Sequence, residues 1–432
     1  MYAAHIAARS SAHFIANPLS IPPPPVARPL EPFTPPATSA PKGHRAAVTA
    51  SFLGWTLDAF DYWLVAYTLT AIAKEFGQTD KAIAFSITLT LFFRPIGAII
   101  FGLAADRFGR RKALMANLVF FSAMGVLTGF ARTYTMFLVV RALFGIGMGG
   151  EWGVGSSLAM EKTNKNRRGI VSGLLQEGYA CGNLLAAICY FFVFPRWGWR
   201  PMFFIGGIPA LLAFYVRLYV TESEVWEKTR HKNWGDYTRV LASNWPLFAY
   251  LVVFLTLMGF VSHGTQDMYP TFLKRDWNFT PQRVATIGMI ANVGAILGGI
   301  IFGHFSDKIG RRRAIVIALA LAVLATPLWA FAPNLPLLVF GGFLMQFMVQ
   351  GGWGVVPAHI NELAPDSVRG FLPGFAYQCG MAVSGTVAYI EAVFADRMTY
   401  ASAMAMTAVT VFTLGAIAAW MGKERHSVAF GE

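Results

Sequence analysis

Several side chains able to carry charge or a proton stand inside stretches that are otherwise apolar. In 259-GFVSHGTQDMYPT-271, Ser262, His263, Thr265, Gln266 and Asp267 interrupt a run that is apolar from Leu247 through Phe272. Read as a helix, His263, Gln266 and Asp267 follow i, i+3, i+4 spacing and share one face. Arg94 lies near the middle of 85-FSITLTLFFRPIGAIIFG-102, with Ser86 and Thr90 on its face and Pro95 behind it, where a kink is expected. Asp58 and Asp61 share a face in 54-GWTLDAFDYWLVAY-67, and Glu151 sits in 147-GMGGEWGVG-155. A buried guanidinium suits a carboxylate, because its planar fork donates two parallel charge-assisted hydrogen bonds. Acids at that depth need a proton or a nearby cation, and pairing of the aspartates with Arg94 is one expectation. The chemistry these residues suit is anion capture and proton carriage. No nucleophile and base pairing and no metal-ligand spacing appears, so an enzyme, a metal site and a cofactor other than the proton are not expected.

The elements that must position them follow from composition. A chain of 432 residues with 55% hydrophobic and 13% charged residues and mean hydropathy +0.50 exposes too much apolar surface for a soluble fold. Twelve apolar runs of helix-spanning length lie between Ala47 and Met421, predicting an all-α membrane protein. The net charge of +13 is not a nucleic-acid signal, because Lys and Arg gather at span ends. With both termini on one side, that side holds 23 of them against nine opposite, which places the termini in the cytoplasm. Residues 1–43 hold ten of the 23 prolines and read as a disordered tail. Cys181, Cys189 and Cys379 read as packing residues.

The chain also repeats itself. The segment 102-GLAADRFGRRK-112 returns as 303-GHFSDKIGRRR-313, and the same offset of 201 relates Trp152 to Trp353, Glu161 to Glu362 and Arg168 to Arg369. Two six-helix halves are predicted, 46–221 and 244–422, joined by a cytoplasmic linker, 222–243, and followed by a tail, 423–432. The repeated loops resemble the signature of the major facilitator superfamily, whose fold has two pseudo-symmetric halves rocking about a central site. That resemblance implies a gating latch of Asp106, Arg107, Arg110, Asp307, Arg311 and Arg312, with Glu161, Arg168, Glu362 and Arg369 as partners. The glycines of spans four and eight read as packing devices.

Residues present in one half only are the stronger substrate candidates. The offset partner of Arg94 is Ala295, that of Glu151 is Gly352, and Gln176 and Glu177 are matched by Tyr377 and Gln378. Within the superfamily, Ser262, His263, Gln266, Asp267 and Thr271 resemble the N-x-x-S-H-x-S-Q-D-x-x-x-T motif of fungal lactate/pyruvate:proton symporters, which share a branch with bacterial sialate:proton symporters. Here Gly259 replaces the motif's Asn and Thr265 its second Ser, so substrate preference is expected to differ. The resemblance implies that Arg94 binds the carboxylate, His263 and Asp267 recognise substrate and couple protons, and Gln378 lines the path. The expected site then comprises Arg94, His263, Gln266, Tyr377 and Gln378 for substrate, with Asp58, Asp61, Glu151 and Asp267 for the proton. Aligning Gly259 with Gly54 sets His263 opposite Asp58 and Gln266 opposite Asp61. The expected function is proton-coupled symport of a small organic monocarboxylate by a monomer in the plasma membrane. A sialate or aromatic-acid symporter and a non-transporting sensor are the alternatives.

Overall fold

The computed structural model describes residues 43–229, 234–384, 386–395 and 397–431, all within one compact unit, Ala40–Glu432. The expected disordered tail, apart from Gly43, lies outside the described residues, as do 230–233 of the linker. Ten helical segments among the described residues are long and apolar enough to cross a membrane. Span one, His44–Glu75, and span eleven, built from Leu372–Ser384 and Val387–Ala395, complete twelve.

The remaining spans of the first half are two (Asp80–Phe108), three (Arg110–Gly129), four (Tyr134–Glu161), five (Arg168–Gln176, then Gly178–Trp197) and six (Arg200–Ile205 and Pro209–Tyr219). The linker forms two short helices, Glu224–Thr229 and Trp234–Ser243. The second half adds seven (Trp245–Gln266, then Tyr269–Arg275), eight (Pro281–Ile309), nine (Arg311–Ala330), ten (Leu335–Leu363) and twelve (Tyr400–Met421).

How each span begins explains why it begins there. The first N–H groups of a helix have no intrahelical partner, and a short oxygen-bearing side chain just before them supplies one. Thr79, Thr133, Thr280, Asn334 and Thr399 do this for spans two, four, eight, ten and twelve, at 3.1 to 3.4 Å. Spans three and nine start at Gly109 and Gly310, whose φ of 110° and 95° lie where side chains with a Cβ are strained. Their caps come from elsewhere: Glu222 accepts from the Arg111 N–H, and Glu424 from those of Arg311 and Arg312.

Close backbone approach sets the cores of the halves. A Cβ on Gly149 of span four would lie 1.9 Å from the Arg94 carbonyl oxygen of span two, and one on Gly298 of span eight 1.9 Å from that of Phe347 in span ten. Each pair therefore packs backbone to backbone, as membrane helices rich in small residues do.

Candidate functional site

Span one carries its acids into the middle of the first half. Asp61 is bonded by Arg141 at 2.8 Å, both fully enclosed, and the Arg141 guanidinium lies 4.2 Å above the Phe144 ring. The expected pairing of both aspartates with Arg94 is thus corrected for Asp61. Arg141 escaped the sequence reading although its offset partner is Gly342, so the test that singled out Arg94 would have found it. Asp58 is enclosed with neither oxygen hydrogen-bonded among the described residues, and its charged neighbours are Arg94, Asp61 and Arg141.

Arg94 is 5% exposed, with Nε and Nη2 unpartnered among the described residues and its guanidinium 5.9 Å from the Tyr377 ring of span eleven. Ser86 and Thr90 do not form an open polar stripe leading to it. They are fully buried and bond backbone carbonyls, Ile83 for Ser86, and Ser86 and Arg141 for Thr90. Glu151 is fully buried beside Asp58, also without a bonding partner among the described residues, and its Oε1 fills the place a Cβ on Gly54 would need.

In the second half, span seven breaks at Asp267, so the polar face ends at a discontinuity and not within a regular helix. His263 Nδ1 and an Asp267 oxygen are 3.2 Å apart, with side chains 32% and 37% exposed. Gln266 donates to Gln346 of span ten at 2.9 Å, and Gln346 donates to Thr265. Gly259 does not open space for substrate. A Cβ there would lie 2.5 Å from Ser384 of span eleven, which occupies the room of a missing side chain.

The two sets meet. Asp267 lies within electrostatic reach of Tyr62 and Tyr179 of the first half, and Arg94 within reach of those tyrosines and of Tyr377. Rings wall the space between: Tyr377 stacks on Trp152 at 4.1 Å and meets Trp353 edge-on at 6.0 Å, while Tyr179 packs on Trp55 and Trp63. Gln378 donates across the halves to the Gly149 carbonyl at 3.3 Å. Ser51, Trp55, Glu151, Trp152 and Pro357 line a narrow cleft.

The end of the bundle bearing the repeated loops is closed. Asp106 accepts the N–H groups of Gly370 and Phe371, and Asp307 those of Gly169 and Ile170, so each loop aspartate caps a span of the other half. Arg110 bonds Asp106 and Glu161, and Arg311 bonds Asp307 and holds Glu362 through two hydrogen bonds. Arg369 reaches Glu161 at 3.6 Å and Arg168 reaches Glu362 at 3.7 Å, both across the halves. Arg107 is half-buried in the last turn of span two. Arg312 does not cross: it bonds the Ala419 carbonyl and lies over Trp420 in its own half.

Two pieces that the sequence reading left out of the latch reinforce it. Tyr237 of the linker bonds Asp106 at 2.8 Å, and burial with that carboxylate alongside pushes its hydroxyl above the usual phenol range. After span twelve, the Phe430 ring sits between the guanidinium groups of Arg168 and Arg369, at 3.2 and 3.6 Å, and Arg168 donates to the Val428 carbonyl. Hydrogen bonds between the halves lie at this end or mid-bundle, and none among the described residues lies at the other.

Comparison with known proteins agrees with this architecture. The profile of the Major Facilitator Superfamily matches residues 51–267 and 255–429. The chain is 30% identical over 413 residues to a carboxylic acid transporter protein homolog of Saccharomyces cerevisiae, covering 87% of this chain and 67% of that one. It is 31% identical over 355 residues to the sialic acid transporter NanX of Escherichia coli, covering 81% and 87%. The solved structure of the proton:xylose symporter XylE superposes with a TM-score of 0.70 at 18% identity, covering 90% and 98%, a likeness of fold. Twelve spans in two halves latched by paired loops, with a polar site between them, are those of a transporter and not an enzyme, and the chain belongs to the Major Facilitator Superfamily.

Proposed function

We propose that this chain carries a small organic monocarboxylate, of lactate or pyruvate type, together with a proton, by alternating access. The supporting observation is a charge count in an enclosed site. Among the described residues, Asp61 is engaged by Arg141, while Asp58, which Arg94 faces, and Glu151 beside it are two acids without hydrogen-bond partners. An uncompensated charge there costs several kcal/mol, so an arriving carboxylate and two ionised acids cannot all be held by one guanidinium. In the empty site Arg94 balances one ionised acid while the other stays protonated, and a proton taken up by the ionised acid leaves the Arg94 fork for the anion. Proton and anion then enter together or not at all. His263, Gln266 and Gln378 supply hydrogen bonds around the anion, and Asp61 braces span one against span four. The relatives named for carboxylic acid and sialic acid transport support an acid as cargo.

In this reading both termini and the repeated loops face the cytoplasm, the protein works as a monomer in the plasma membrane, and the loop-closed structure opens outward. Labelled lactate uptake into proteoliposomes should follow an acid-outside gradient, and uptake indifferent to the gradient contradicts coupling.

One observation favours a second reading of the cargo. Tyr62, Trp63, Trp152, Tyr179 and Tyr377 around Arg94 give flat apolar walls suited to a planar ring acid. Competition of lactate uptake by pyruvate, sialate and benzoate separates the two: benzoate competing more strongly than pyruvate favours the ring acid.

A further inference from the structure

Span eleven holds an acid that neither the repeat nor the motif comparison brought forward. Glu391 is 1% exposed, and neither carboxylate oxygen has a hydrogen-bond partner or a salt bridge among the described residues. A Cβ on Gly264 of span seven would lie 3.5 Å from its Oε1, so the carboxyl abuts span seven at Gly264. From span twelve, Thr407 packs on the same glycine, and its hydroxyl also lacks a partner. Among the described residues, the titratable group facing Glu391 is Asp267, at the break of span seven, which lies within electrostatic reach and contacts His263. The offset partner of Glu391 is Tyr190, so the acid belongs to one half only.

A carboxylate enclosed at membrane depth with no cation or hydrogen-bond partner among the described residues is held neutral by a proton. Its ionisable neighbour among the described residues is Asp267, which forms a partly open pair with His263 that water can reach. We propose that Glu391 is a second proton site, which exchanges its proton with that pair as the halves rock, while Arg94 holds the anion. One proton leaves the pair and arrives on a Glu391 oxygen, and no other bond changes. This role rests on the symport reading above. It adds a place for the proton in the half opposite the anion-binding arginine, so that a rocking motion changes the water access of both sites together.

The test compares wild type with Glu391→Gln and Glu391→Asp in proteoliposomes, using lactate as the probe. Glu391→Gln is expected to lose gradient-driven accumulation, the inside-to-outside ratio falling to unity, while lactate counterflow at equal pH persists, since the Arg94 fork that takes the anion lies in the other half. Glu391→Asp, which keeps a carboxyl, is expected to retain accumulation. Infrared spectra of the purified proteins should show a protonated carboxyl C=O stretch in wild type that is missing in Glu391→Gln. Normal accumulation by Glu391→Gln, an unchanged carboxyl band, or loss of counterflow in both variants overturns the proposal. Wild type that ignores the gradient overturns the symport reading instead, and the infrared comparison alone then decides whether Glu391 holds a proton.

Discussion

Replacing Arg94 by Lys keeps the charge and loses the fork. Hydrogen bonds to charged groups contribute roughly 1.5–3 kcal/mol, so anion affinity should fall about tenfold or more, read as KM for uptake. Unchanged KM places the anion elsewhere. Asp61→Asn leaves Arg141 enclosed without its counter-charge, and a loss of about 3–5 kcal/mol is expected. A melting temperature in detergent equal to that of wild type contradicts a bracing role. Gly259→Asn forces a side chain into Ser384, so it should destabilise by about 1–3 kcal/mol, and Ser384→Ala in the same chain should relieve part of that cost. At this scale the sequence showed which residues are out of place in an apolar helix, because that needs only composition and spacing. It did not show partners. Ser86 and Thr90 share a face with Arg94 and yet spend their hydroxyls on backbone, and Asp61 chooses Arg141 on a span far away in sequence.

The loops and caps were legible as a pattern and not as a network. Asp106 and Asp307 stand at one repeat offset, which marks them as equivalent, but only the packed halves show that each caps a span of the other. Glu222 and Glu424 escaped notice because they lie 202 apart, one residue off the repeat, and because a Glu after a span reads as ordinary surface charge. Losing a cap costs about 0.5–2 kcal/mol. Asp106→Ala and Asp307→Ala should therefore shift the closed and open populations by a similar factor, up to about thirtyfold. Phe430→Ala should add to either, since its ring fills the gap between Arg168 and Arg369. The readout is the alkylation rate of a cysteine placed at Ser156, which is buried at the closed end. Rates unchanged in all three variants contradict the latch.

For the whole molecule, the halves were legible because a repeat of 201 residues imprints twelve spans and a central axis on any sequence that carries it. Which end is closed was not, since one sequence must serve both closures and the difference is a few kcal/mol of latch contacts. The proposed coupling also belongs to this scale: Arg94 of the first half and Asp267 of the second lie within reach of the same two tyrosines, Tyr62 and Tyr179. The proton itself gives the most direct measurement. With a pH dye trapped in proteoliposomes and no initial pH difference, lactate added outside should acidify the lumen faster than in protein-free vesicles, and Arg94→Lys should need about tenfold more lactate for the same rate. Protein-dependent lactate entry without acidification contradicts proton-coupled transport.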